Sequence, residues 1–466
     1  MNAAAEPAAG CAPRRRTASP GWWVAIGLAW CALNGVLLWA YYLPAAKHLV
    51  GDETTYHLRA LALLAGTPGP PSFIWPPGQD LFLAIIYAVT GPRLIAVQLV
   101  QIALLAWCSW LLMRLWRVID GRRAGLCAGA IFLLNPSTLA YAWWLWPEVP
   151  HLACVLGALG LLALPGTRPP LRAFFAGALV GAALLLKSLL AGFWPLFLIF
   201  LWRRDHGRWR CEWLATVAFL VALAATLAPS LWQGYRETGR ALIADSSIYN
   251  LYVGLNDSSR SDYIGEADGP ALQAFLDSGA TPRQRNAAYL GKLRDLVAER
   301  GVGSILMAQL GHQFFRLFSA KTTLVSQMPG PACAGHIGAY ADGPLTGPLI
   351  ALAWLSHALT LVLSAFGLTC WRRWRQPLAL FALAILAYQL ALFLGLHVME
   401  RYIVQMLPFL CAFAGSFAAA IAFGPRSRED GAAIALTPAR LTLGAMLAGL
   451  LLFLAFAGPL LDRACG

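Results

Sequence analysis

Long apolar stretches separated by short polar ones run along nearly the whole chain. A stretch of roughly twenty apolar residues is enough for an α-helix to cross about 30 Å of hydrocarbon. About eleven can be read, over residues 22–43, 94–116, 124–143, 149–165, 172–187, 189–202, 213–231, 346–371, 377–396, 402–423 and 441–461. The first is long, aromatic-flanked and preceded by a polar leader over 1–21, features of a membrane span and not of a cleaved signal. The piece "LFLAIIYAVTG" between the first two is too short to cross, which places it at the interface or in a re-entrant position. The pattern therefore predicts an all-α polytopic membrane protein.

Composition agrees with this pattern. Hydrophobic residues make up 59% of the 466, charged residues 12%, and the mean hydropathy is +0.61, too apolar for a soluble domain. Four regions follow: a leader over 1–21, an N-terminal transmembrane module over 22–231 with a first outer loop at 44–92, an outer loop region over 232–344, and C-terminal spans over 345–466. Within the third, the stretch 285–318 reads as one amphipathic helix.

The net charge of +13 raises the question of a nucleic-acid partner, but the basic residues fall in short clusters between apolar runs. Arg14 to Arg16, Arg114 and Arg117, Arg122 and Arg123, Arg203 to Arg210, and Arg372 to Arg375 occupy alternate loops. That is the positive-inside pattern, which excludes nucleic acid as the reason for the charge and predicts a cytoplasmic N-terminus. Most of the ten cysteines sit inside apolar runs; Cys333 and Cys465 alone fall clearly outside, and nothing in the sequence pairs them.

With that topology drawn, the few ionisable residues of the outer loops recur at the mouths of different helices. Asp52, Glu53 and His57 follow the first span, Glu148 and His151 lie in "WPEVPH", Lys187 ends the fifth span, and His397, Glu400 and Arg401 lie in "LHVMERY". Ionisable groups at a membrane boundary cost free energy and by default suggest function. Simpler roles compete with it: Asp52 and Glu148 can serve as first-turn acids at helix starts, and Lys187 and Arg401 can reach out to headgroups. Lys187 is one of four lysines in an arginine-dominated chain and has apolar neighbours on both sides, which favours the functional role. Glu148 and His151 have the i, i+3 spacing of a metal pair, with Asp52 and His397 as further ligands for a divalent ion; no cofactor is required by the pattern.

These stretches, in this order, resemble the GT-C class of polytopic glycosyltransferases, in particular the branch holding bacterial protein O-mannosyltransferases, the lipid A aminoarabinose transferase and lipopolysaccharide-core galacturonosyltransferases. The resemblance is carried by "GDETTYHLRALALLAG", "WPPGQDLFLAIIY", "WPEVPHLACVL", "GALVGAALLLKSLLAGFWPL", "YNLYVGLNDSS" and "ERYIVQMLPFL". It implies that Asp52 is the catalytic base, that Glu53 completes an acidic pair, that Glu148 is a second catalytic carboxylate, and that Lys187, Arg401 and Tyr402 bind the donor phosphate. His57, His151, Asn250, Tyr252, Asn256 and Glu400 are the expected substrate contacts. Where the aminoarabinose transferases carry a Lys before the first-loop "PP", this chain has Trp75, so their donor and acceptor are not assumed for it. The implied setting is the bacterial inner membrane with an extracytoplasmic site, a polyprenyl-phosphate sugar as donor, and a lipid, glycan or protein acceptor.

The chemistry fits independently. An acceptor hydroxyl attacking an anomeric carbon must lose a proton, which one carboxylate can take. The leaving phosphate needs no proton but is stabilised by fixed cations. A flippase for lipid-linked sugars is the rival reading; it predicts charges at mid-bilayer and inverted repeats, and the sequence has neither.

Overall fold

The computed structural model describes residues 21–39, 49, 51–67, 74–205, 208–256, 265–320, 345–424 and 433–462. Cys333, Cys465 and most of the polar leader lie outside them. Helix α1 (Gly21–Leu37) is followed by two short helices, α2 (Asp52–Ala65) and α3 (Gly78–Thr90), which pack on each other and are too short to cross a bilayer. Leu58, Leu63, Ile85 and Val89 on their surfaces are exposed, as befits helices lying at the lipid boundary.

Helix α4 (Leu94–Leu133) contains the second expected span and the first half of the third. At Gly121 the backbone takes φ 83°, a conformation open to glycine, and the helix turns back on itself. In a straight helix Ser109 and Gly129 would stand about 30 Å apart; instead the Ser109 hydroxyl donates to the Gly129 carbonyl at 2.8 Å. The second limb stops at Leu133, short of the expected 143, because Asn135 caps a new helix that begins with Pro136. This helix, α5 (Pro136–Trp143), meets α6 (Glu148–Ala163) at a bend of 112°.

Helices α7 (Pro169–Leu186) and α8 (Trp213–Thr238) lie side by side and point the same way: Gly177 abuts the Phe219 carbonyl, and further along Gly181 abuts Thr226. Two parallel neighbours need a return path, and residues 188–201 supply it as 3₁₀ turns, Ser188–Leu190 and Trp194–Leu201. A 3₁₀ segment rises about 2.0 Å per residue against about 1.5 Å for an α-helix, so about fourteen residues reach roughly 28 Å. The expected sixth span is thus present as a stretched segment, with Phe193 and Phe197 packed on Phe381. A β-hairpin, β1 (Trp202–Asp205) with β2 (Arg208–Cys211), leads from it into α8.

Four further helices follow: α9 (Ser247–Asn256), α10 (Gly265–Asp277), α11 (Pro282–Arg300) and α12 (Val302–Phe318). The single amphipathic helix expected over 285–318 is two, broken at Gly301, where φ is 74°. Ile74 of the first loop joins Tyr249, Phe275 and Tyr289 in one apolar cluster, so this region and the first loop share an end of the bundle. The chain then closes with α13 (Thr346–Cys370), α14 (Pro377–Leu392), α15 (Leu407–Phe423) and α16 (Pro438–Asp462). Backbones approach closely at Gly415 against Ala128 and Gly367 against Phe413, and Gly444 leaves room for the Phe366 ring, the small-residue packing of membrane helices.

Among the described residues, five helices are each long and apolar enough to cross a membrane: Leu94–Leu133, Pro169–Leu186, Trp213–Thr238, Gly347–Cys370 and Pro438–Gly458. The molecule is an integral membrane protein with two chemically different ends. Arg373 donates to the Ile119 carbonyl, Arg440 to the Trp371 carbonyl, and Arg123 covers the Phe423 ring, so the basic loops collect at one end. The starts of α2, α6 and α9 collect at the other.

Candidate active site

Four separate chain segments deliver charged groups to that second end. Asp52 opens α2 after Gly51, whose φ of 56° turns the chain into the helix. Glu148 opens α6 directly after Pro147. Lys187 follows the last residue of α7 in an extended conformation, which carries it out of the helix and over the bundle end. Arg401 and Tyr402 lie in a 3₁₀ turn, Glu400–Gln405, that leads into α15.

These groups form one network. Arg401 Nη2 donates to Asp52 Oδ2 at 2.6 Å, and its Nε lies 3.7 Å from Glu148 Oε1. Lys187 Nζ donates to the same Glu148 oxygen at 2.7 Å. Aromatic faces complete the cation sites: the Lys187 ammonium lies 4.3 Å from the centre of the Tyr402 ring, and the Arg401 guanidinium 4.4 Å from that of Trp146. Trp146 is itself stacked on Trp144 at 3.6 Å.

The two carboxylates are not equivalent. The Asp52 side chain is 31% exposed, whereas that of Glu148 is 0%. Glu148 holds two cations at a fixed spacing, and Asp52 faces the open side. Both carboxylates and both cations line one cavity, together with Tyr56, Trp75, Ser188, Ser246, Asn250 and Tyr402. Burial pushes the Tyr402 hydroxyl up to about 12 and the Tyr56 hydroxyl well above its usual range, so both phenols remain neutral donors.

Of the residues expected from sequence, Asp52, Glu148, Lys187, Arg401, Tyr402 and Asn250 meet around this cavity. Others do not reach it. Glu53, next to Asp52, is fully buried and accepts the Leu145 N–H at 2.8 Å, because the helical step of about 100° turns adjacent residues to different faces. His57 contacts the Tyr87 hydroxyl at 2.9 Å between α2 and α3. His151 lies one turn into α6, with Nδ1 2.9 Å from the Ala183 carbonyl. Tyr252 packs on Tyr289, and the Asn256 amide bonds its own helix at Tyr252. The Glu400 side chain lies outside the described residues. Among those described, no three His, Cys, Asp or Glu side chains gather as a metal set, and the imagined grouping of Asp52, Glu148, His151 and His397 is not assembled.

Tyr56, Trp75 and Ser246 line the cavity without having been expected from sequence. Tyr56 carried a readable signal, since it stands at i+4 from Asp52 and shares its helix face. Ser246 carried none.

The family model for dolichyl-phosphate-mannose-protein mannosyltransferases matches residues 75–232, about a third of the chain. That stretch includes Glu148 and Lys187 and excludes Asp52 and Arg401. The oligosaccharyltransferase of Archaeoglobus fulgidus superposes with a TM-score of 0.50 at 14% identity, covering 96% of this chain and 56% of that one. The present chain thus spans little more than half the length of that enzyme and shares its fold. ArnT from Cupriavidus metallidurans superposes with a TM-score of 0.34 at 18% identity, covering 86% of this chain and 78% of that one. No curated protein matches the sequence. The resemblance to GT-C proteins drawn from the sequence is matched by the family model and by the fold.

Proposed function

We propose that the protein is an inverting membrane glycosyltransferase that moves a sugar from a polyprenyl phosphate to an acceptor hydroxyl at the outer face of the bacterial inner membrane. One observation carries this reading: an accessible carboxylate, Asp52, shares a cavity with two cations that a fully buried carboxylate, Glu148, holds in place.

Around the cavity two positive and two negative groups balance. A donor phosphate entering the cavity competes for Arg401 and Lys187 and thereby frees Asp52 from its ion pair. Arg grips phosphate in a bidentate manner and Lys acts as a compact charge. The acceptor oxygen then bonds to the anomeric carbon as the bond from that carbon to the phosphate oxygen breaks. The acceptor proton passes to Asp52, and the bonding electrons leave with the phosphate. With Asp52 neutralised, the cavity carries one net positive charge against a phosphate that has gained one negative charge. The same groups that release the base therefore stabilise the leaving group. A single displacement inverts the anomeric centre.

Two structural features support the lipid donor and the orientation. The charges stand at one end of the bundle, where a lipid phosphate resides, and not midway through it as the flippase reading requires. The arginine-rich loops stand at the opposite end, which the positive-inside rule assigns to the cytoplasm. Tyr56 and Trp75 offer a hydroxyl and an aromatic face to a sugar in the cavity.

The test is transfer by the purified chain in vesicles given a panel of radiolabelled polyprenyl-phosphate sugars and a membrane extract as acceptor. Labelled product is expected with the wild type, and Asp52→Asn is expected to lower the rate about 10²–10⁴-fold at equal protein level. Full activity of Asp52→Asn would remove the assigned base.

A further inference from the structure

A second cavity lies on the far side of the first turn of α9. Ser246 and Asn250 line the active-site cavity, while Ile248, between them in sequence, lines the second. One helical turn is therefore the wall between the two, a separation of roughly 5–10 Å. Two arginines from different elements face the second cavity: Arg240, just past the end of α8, and Arg283, in the first turn of α11. Among the described residues neither makes a close ion pair, although Arg240 lies within electrostatic reach of Asp245. Asp245, the buried carboxylate beside them, instead accepts from the Asn286 side chain. Thr238 and Asn286 add polar atoms to the lining.

The height of this cavity relative to the lipid is marked by α8. Trp232 and Tyr235 in its last turns are 63% and 56% exposed and stack on each other, as aromatic side chains do at the level of lipid headgroups. Arg240 follows Tyr235 by five residues. Two guanidinium groups at headgroup height, neither held in a close ion pair among the described residues, form a receptor for phosphate attached to an amphiphile.

We infer that this cavity binds a lipid-borne phosphate and that the acceptor is a phosphorylated lipid, held with its phosphate here and its hydroxyl in the adjoining cavity beside Asp52. The acceptor assignment rests on the transferase reading; the phosphate subsite does not.

Native mass spectrometry of the full chain in detergent, with dioctanoyl phosphatidic acid as probe, tests the subsite without any transfer. The wild type is expected to retain the lipid, and Arg240→Gln with Arg283→Gln to weaken it about tenfold or more, the effect of losing charge-assisted contacts. Arg236→Gln, an exposed arginine of α8 outside the cavity lining, is expected to leave retention unchanged. Phosphatidylcholine of equal chain length should not respond to any of these changes. Undiminished phosphatidic acid binding in the double variant would overturn the subsite. Equally tight retention of inorganic phosphate would reassign it to a soluble ligand and overturn the lipid acceptor. Asp52→Asn should keep the phosphatidic acid, so loss of transfer and loss of this subsite are separable.

Discussion

Helix α2 contributes to two ionic clusters that look alike in sequence and differ in their surroundings. Asp52 in its first turn joins Arg401, Glu148 and Lys187 around an open cavity. Arg59, two turns further on, pairs with Asp80 of α3 at 2.9 Å, with side chains 15% and 2% exposed. The first cluster has surplus ligands of both signs and a group that can be displaced towards solvent. The second has one partner each and no cavity among those described. Buried charge alone therefore does not indicate chemistry; accessibility and exchangeable partners are what set the cluster proposed for catalysis apart from a fastening between two helices.

The sharpest break in that comparison comes from Arg59. Burial pushes the Asp80 carboxyl up to about 7 against the pull of Arg59. A carboxyl whose pKa is raised on folding disfavours the folded state progressively as pH climbs from the unfolded value, 3.8, through about 7, and the loss is complete above it. Arg59→Met removes the compensating charge and is expected to destabilise the protein by about 3–5 kcal/mol near pH 8 and far less near pH 5. Thermal unfolding in detergent across that range reads the effect, and Asp80→Asn should flatten the wild-type slope.

Arg401→Gln addresses the other cluster. Transfer is expected to fall about 10²–10³-fold, as when a fixed donor to developing charge is removed, with partial recovery in Arg401→Lys. Steady-state kinetics on the reconstituted enzyme should place the loss in kcat as well as KM. An effect confined to thermal stability would reduce Arg401 to a fastening like Arg59.

The smallest effect separates two adjacent acids. Glu53→Ala orphans the buried Leu145 N–H and is expected to cost about 1–3 kcal/mol of stability, with turnover per folded molecule unchanged. A turnover loss comparable to that of Asp52→Asn would restore Glu53 to the catalytic group.

Several elements were legible before any coordinates. Several apolar runs announced crossings, five helices among the described residues being long and apolar enough, because exclusion of backbone polar groups from lipid leaves a helical span few alternatives. The sites of Asp52, Glu148, Lys187 and Arg401 stood out because a charge at a helix mouth is rare in so apolar a chain. Other features were illegible for local reasons. The stretch 188–201 reads like any apolar run, and its 3₁₀ form follows from the parallel packing of α7 and α8 that it must connect. The turn at Gly121 and the break at Gly301 each rest on one glycine with positive φ, and nothing in a lone glycine says that the chain uses that freedom.

The sequence by itself determined that this is a helical membrane protein, which loops carry positive charge, and which ionisable residues stand at helix mouths, since each follows from local hydropathy and spacing. Only the tertiary structure decided that Asp52 meets Arg401 across 349 residues while neighbouring Glu53 turns away to a main-chain amide. The physical reason is that an ion pair depends on distance and burial in space, and both are set by how the helices pack, not by the order in which they are joined.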